Sequence, residues 1–181
     1  DKTEREAYRY ADITDVAKKM QITVFKEDNE TGTATQGDAH LENAEYTLYR
    51  DAACTDAVET ITIAKNEDGT YSATSGWYLV GTYYVKETKA PRYYDMNTKL
   101  YTFELSRTSQ EAELVLQDAR TLVDAEVVVG DEDGNKLAGV TVKLVDPETN
   151  KVAYVAKTDE DGVAKFPQIR AGRYIRQVAD L

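Results

Sequence analysis

The sequence predicts an all-β chain built as two β-sandwich modules in tandem. Three observations carry this reading. Residue usage leans to Thr, Val and Tyr, with 13 Tyr among 181 residues, and these types fit a pleated, half-buried surface. From Met20 onward, apolar and polar residues alternate in short runs bounded by Gly, Asn, Asp and Pro. That is the period of strands, whereas Leu and Ala form no long run at helical spacing. The same order of features then occurs twice, once from about Met20 and again from about Asp124, as a duplicated sandwich unit would give. A hydrophobic content of 41% suffices for two small cores.

Residues 1–19 (DKTEREAYRYADITDVAKK) show little alternation and read as a linker or the tail of a preceding module. Residues 20–120 form the first module, with strands in QITVFKED, AEYTLYRD, ETITIAK, TYSAT, GTYYVKET, KLYTFELS and AELVLQD. Residues 121–181 form the second, with strands in AEVVVGD, GVTVKLVD, KVAYVAKT, GVAKFPQI and GRYIRQVAD. Each series has a first strand, an acidic turn, a second strand led by Gly or Ala, a turn containing Asp-Gly, and a late strand opening Gly-x-Tyr (Gly81 to Tyr83; Gly172 to Tyr174). The second series stops after that late strand. Its sandwich is therefore expected to lack a closing strand or to take one from elsewhere.

Three Glu-Asp-Gly turns recur, at Asn66 to Gly69, Asp131 to Gly134 and Asp159 to Gly162. Asp131, Asp133 and Asn135 have the opening spacing of a calcium loop, but the twelfth position, where such a loop needs Glu, is Val142 inside a strand. Hairpin turns are the better reading. No metal and no other cofactor is expected.

A net charge of -11 repels phosphate backbones and anionic head groups, so nucleic acid and membrane surfaces are not expected partners. No apolar run approaches the roughly 20 residues that span a bilayer, and the start at Asp1 rather than Met reads as a piece of something longer. Cys54 is the single cysteine and His40 the single histidine. No internal disulfide can form and no zinc spacing exists. Cys54 reads as a small packed side chain and His40 as a solvated surface residue.

Strand parity points to chemistry, because residues two apart share a face. Ile22 and Val24 are in phase with Lys26, Tyr83 and Val85 with Glu87, and Leu114 and Leu116 with Asp118. Three strands thus aim one amine and two carboxyl groups into one apolar layer. Singly, an in-phase Lys or Glu near a strand end usually curls out to solvent. Together they are the set that a Lys–Asp isopeptide bond needs. Burial disfavours the charged forms of both reactants, Glu87 can shuttle the amine proton and polarise the Asp118 carbonyl, and the folded core supplies proximity.

The runs Lys26-Glu-Asp-Asn-Glu-Thr-Gly, Gly37-Asp-Ala-His-Leu-Glu-Asn-Ala-Glu-Tyr-Thr-Leu-Tyr and Gly81-Thr-Tyr-Tyr-Val-Lys-Glu-Thr-Lys-Ala-Pro91 resemble the Cna B-type, SpaA-like pilin and adhesin module of Gram-positive surface proteins. The resemblance covers residues 20–120, with Arg92-Tyr-Tyr where that family often has Glu-Gly-Tyr. It implies a prealbumin-like (Ig-like) sandwich, Lys26 as the amine, Asp118 as the acceptor and Glu87 as the catalytic carboxyl. It also implies a secreted, cell-wall-attached stalk whose partners are adjacent modules of the same surface protein. In the second module, which resembles the superfamily more loosely, Val129 falls where Lys26 lies and Val178 where Glu87 lies. No cross-link is expected there, and Arg176 falls unexplained on the inward face.

Two other functions fit parts of the sequence. An adhesin would hold a host protein or glycan through Trp77, Tyr93 and Tyr94, although aromatic residues in strands more often pack. A hydrolase using Glu87 and Asp118 as paired carboxylates would need an open cleft and a free Lys26.

Overall fold

The computed structural model describes residues 17–35, 37–105 and 111–179. Most of the segment read as a linker, residues 1–16, lies outside the described residues, as does Leu181. Among the described residues every regular element is a strand. Two separate apolar cores form, one from residues of the first module and one from the second.

In the first module, β1 (Lys19–Asp28) is the central strand of one sheet. On one side it pairs antiparallel with β5 (Tyr71–Thr74), which carries the short β4 (Ala64–Lys65), and its first residues meet β6 (Tyr78–Leu79). On the other side it pairs parallel with β9 (Glu111–Asp118). The opposing sheet has the order β3-β2-β7-β8, from β3 (Ala57–Thr62), β2 (Glu45–Tyr49), β7 (Gly81–Lys89) and β8 (Leu100–Leu105). Met20, Ile22 and Val24 from the first sheet and Tyr46, Leu48 and Val85 from the second interdigitate in the same core.

The run ETITIAK, expected as one strand, is divided between the two sheets. Ile63 donates its N–H to the Ala44 carbonyl beside β2 (2.9 Å), and the chain then pairs with β5 across the sandwich. A strand that changes sheets at a bend makes the corner of the sandwich.

The second module repeats the plan on a smaller scale. β10 (Leu122–Val128) pairs antiparallel with β13 (Val163–Arg170), and β11 (Thr141–Val145) lies between β12 (Val152–Lys157) and β14 (Ile175–Ala179). Registers reveal the correspondence: Tyr46 faces Glu87 across β2 and β7, and Val142 faces Val178 across β11 and β14. Leu48 facing Val85 likewise matches Leu144 facing Arg176. Among the described residues β10 pairs with β13 alone, whereas β1 has a neighbour on each edge. Val123, Ala125, Val127, Leu144 and Arg176 line an open groove there. The exposed Arg176 guanidinium therefore keeps its water although its position faces inward.

The three Glu-Asp-Gly segments are one turn used three times. In each, the first residue (Asn66, Asp131, Asp159) donates its N–H to the carbonyl four residues on, and the Gly N–H returns to the first carbonyl. Gly69, Gly134 and Gly162 have φ of 86°, 83° and 70°, the left-handed region that only Gly enters without strain. Asp131 accepts from the backbone N–H of Asn135 (2.7 Å) and from its side-chain amide (2.8 Å). The spacing that suggests a calcium loop is thus used within the turn.

The modules join through a short, well-bonded seam. Thr121 donates its N–H to Tyr93 O (3.0 Å), and Ala171 donates its N–H to Thr121 O (2.7 Å). The buried Arg120 guanidinium lies 5.3 Å from the Tyr94 ring centre and donates to Ala171 O (2.6 Å). Arg170 pairs with Glu30 of the first module.

Candidate functional site

Strict alternation along β1 places Met20, Ile22, Val24, Lys26 and Asp28 inside. β7 buries Tyr83, Val85 and Glu87, and β9 buries Leu116 and Asp118. The parity that selects the three polar residues is the parity of the structure, and their exposures are 0% for Lys26, 1% for Glu87 and 2% for Asp118.

The parallel register sets Lys26 opposite Leu116 and Asp28 opposite Asp118. A lysine side chain leaning along its strand reaches the residue two places on. Lys26 Nζ is in contact with Oδ1 of Asp118 and lies 3.5 Å from Oε1 of Glu87, which reaches in from the opposing sheet. Among the described residues, neither Nζ nor either Asp118 oxygen makes a hydrogen bond of ordinary geometry. Buried polar groups in that condition call for an explanation.

Three neighbours were not legible as site residues in the sequence. The Tyr46 hydroxyl donates to Glu87 Oε1 (2.9 Å), and the Asn97 backbone N–H donates to Oε2 (2.6 Å). The third is Asp28, a second buried carboxyl in phase with Lys26. It is satisfied locally: Oδ1 accepts from the N–H groups of Glu30 (2.8 Å) and Thr31 (3.2 Å), and Oδ2 from the Tyr94 hydroxyl (2.9 Å). Asp118, which has no such donor among the described residues, is the carboxyl left facing the amine.

Electrostatics favour the neutral form of the Asp118 carboxyl. Burial lifts the Asp118 carboxyl to about 7, with Lys26 pulling it back down and Glu87 adding to the rise. Passing one proton from the ammonium to this carboxylate removes two charges from a dry site, which burial favours. Nζ can then attack Cγ of Asp118. In such a condensation Glu87 can take the proton that Nζ sheds and return it to the departing hydroxyl, so that one C–N bond would form, one C–O bond would break and one water would leave.

Residues 20–120 match the SpaA prealbumin-like fold domain, and residues 119–179 match the DR_A0283-like, Ig-like domain. The first of these covers more than half of the chain. The chain belongs to the SpaA prealbumin-like family. Its SpaA-like module is followed by the Ig-like one, and together they form the tandem β-sandwich.

No curated protein matches the chain. Among solved structures, the Bacillus anthracis TIE protein is similar over 91% of this chain and 29% of its own, at 24% identity and a TM-score of 0.63. The chain therefore spans under a third of that protein, and the likeness establishes the fold. A Streptococcal ancillary pilin is similar over 90% of this chain and 54% of its own (15% identity, TM-score 0.43). The Bacillus cereus major pilin subunit BcpA is similar over 86% and 60% (12% identity, TM-score 0.47).

The SpaA-like module does not present Glu87 and Asp118 to a substrate. Both carboxyls are sealed in the core with Lys26 against them, which removes the open cleft that the hydrolase reading requires. Of the aromatic residues considered for ligand binding, Tyr94 is buried with its hydroxyl on Asp28, while Trp77 is 53% exposed.

Proposed function

We propose that this chain is a load-bearing stalk segment of a Gram-positive cell-surface or pilus-type protein, secreted and attached to the cell wall. Its first module, residues 20–120, closes itself with a Lys26–Asp118 isopeptide bond assisted by Glu87. The second module, residues 121–181, has no such bond, with Val129 and Val178 at the places of Lys26 and Glu87. The observation that carries the reading is a buried amine and a buried carboxyl in contact, each without another hydrogen-bond partner among the described residues, beside a second carboxyl held by two donors.

The bond joins the first strand of the module to its last, so tension applied at the module ends bypasses the hydrogen-bonded ladders. Covalent closure also suits a chain whose single cysteine allows no internal disulfide. Neighbouring modules of the same surface protein are the partners this role requires.

Pulling a single molecule by its ends tests the role. An uncross-linked first module would release its roughly 90-residue loop as a step of about 300 Å at 3.3–3.6 Å per residue. The parent chain is expected to show no such step, and Glu87→Gln is expected to restore it. The step appearing in the parent chain would refute the proposal.

A further inference from the structure

We propose that Tyr46, together with the backbone N–H of Asn97, positions Glu87 for the cross-linking step, fixing one oxygen of its carboxylate as the proton acceptor of Lys26. This rests on the isopeptide reading above and adds a residue to it.

Glu87 has two oxygens with separate duties. Oε2 is held by the Asn97 N–H at 2.6 Å. Oε1 accepts the Tyr46 hydroxyl at 2.9 Å and lies 3.5 Å from Lys26 Nζ. A carboxylate oxygen offers two lone-pair sites. With one taken by the phenol, the other is left for the proton that Nζ sheds. The two donors, one on each oxygen, fix the plane of the carboxyl group and aim Oε1 at Nζ. The Tyr46 ring centre lies 5.6 Å from Nζ, near enough to stabilise the ammonium before the proton moves.

Tyr46 keeps its own proton throughout. Burial, then the Glu87 carboxylate beside it, pushes the phenol far above its usual range. It therefore acts as a fixed donor through Glu87 and does not carry the proton that passes from Nζ to Oε1 to the leaving hydroxyl.

The second module supplies an independent observation. Val142 pairs with Val178 as Tyr46 pairs with Glu87. Where the acid is replaced by Val the phenol is replaced too, and Val142 is fully buried in a formed core. A sandwich of this plan can thus be filled at that place without an aromatic ring. The hydroxyl accompanies the carboxylate it serves.

The test uses the full chain, held unfolded in denaturant as it is synthesised and then folded by dilution at pH values from about 5 to 9, with intact mass followed in time. Tyr46→Phe and Tyr46→Val are expected to reach native strand content and to lose one water in the end, but about 10- to 100-fold more slowly than the parent, the loss expected of a misplaced catalytic group. The two should be slowed alike, because Phe keeps the ring and its packing and loses only the hydroxyl that holds Glu87. A parent-like rate in either folded variant overturns the inference while leaving the cross-link standing. If neither variant folds, Tyr46 is needed for packing and the inference falls. A parent chain that never loses water refutes the underlying reading instead.

Discussion

Glu87→Gln is expected to keep the fold of the first module and to lower its stability by roughly 4–5 kcal/mol, the contribution of closing a loop of about 90 residues in the unfolded chain. For a domain of this size that is a fall in midpoint on the order of 20–30 °C. The substitution preserves volume and leaves Lys26 against Asp118, but an amide cannot take the amine proton and return it to the leaving hydroxyl. The difference from the parent therefore isolates the covalent bond from the packing around it. Calorimetry of the two chains checks the result; midpoints within a few degrees would mean that no bond forms in the parent or that it contributes nothing.

Lys26→Met is expected to be worse still, and in a pH-dependent way. Without the amine, Asp118 and Glu87 face each other in a dry core with no cation between them, a condition that costs about 3–5 kcal/mol when one member of a buried pair is removed. Asp118 already stands at about 7 because burial outweighs the pull of Lys26, and losing that pull drives it higher. A carboxyl whose folded value lies above its unfolded value of about 4 binds more protons when folded. Its stabilising contribution is thus present below about pH 4 and is lost as pH rises through 7 and beyond. Urea midpoints for Lys26→Met should be higher at pH 5 than at pH 8, the reverse of the usual effect of a paired carboxylate. An unchanged midpoint across that range would show that Asp118 does not titrate in a closed site.

The second module shows how a core of this plan avoids the problem. Val142 is buried and lies across from Val178, the pair that matches Tyr46 and Glu87 of the first module. Replacing the polar members together leaves no stranded charge.

Much of this was legible in the sequence because strand parity is a hard geometric rule. Lys26, Glu87 and Asp118 could each be placed inside by counting twos from apolar neighbours, and the parallel pairing of β1 with β9 brings the first and third together. What parity could not show was the environment of each carboxyl. Asp28 shares the parity of Lys26, yet the turn after β1 and Tyr94 satisfy it.

Irregular segments were the least readable. Asn97 acts through its backbone N–H in the β7–β8 connection, a donor that every residue except proline carries, so its identity held no signal. Tyr94, in the same connection, looked as available as Trp77 but is turned inward by its bond to Asp28. Cys54 is half-buried in a tight turn with φ of 56°, and it packs less completely than a lone cysteine usually does. Arg176 has the parity of a core residue, and only the open groove beside β10 explains why it can stay there.

The mass of the intact folded chain bears most directly on the central claim. The account predicts a value one water below that calculated from the sequence, with Lys26 and Asp118 recovered in a single branched peptide after proteolysis, and the full calculated mass in Lys26→Ala and Glu87→Ala. A parent chain of full calculated mass would contradict it.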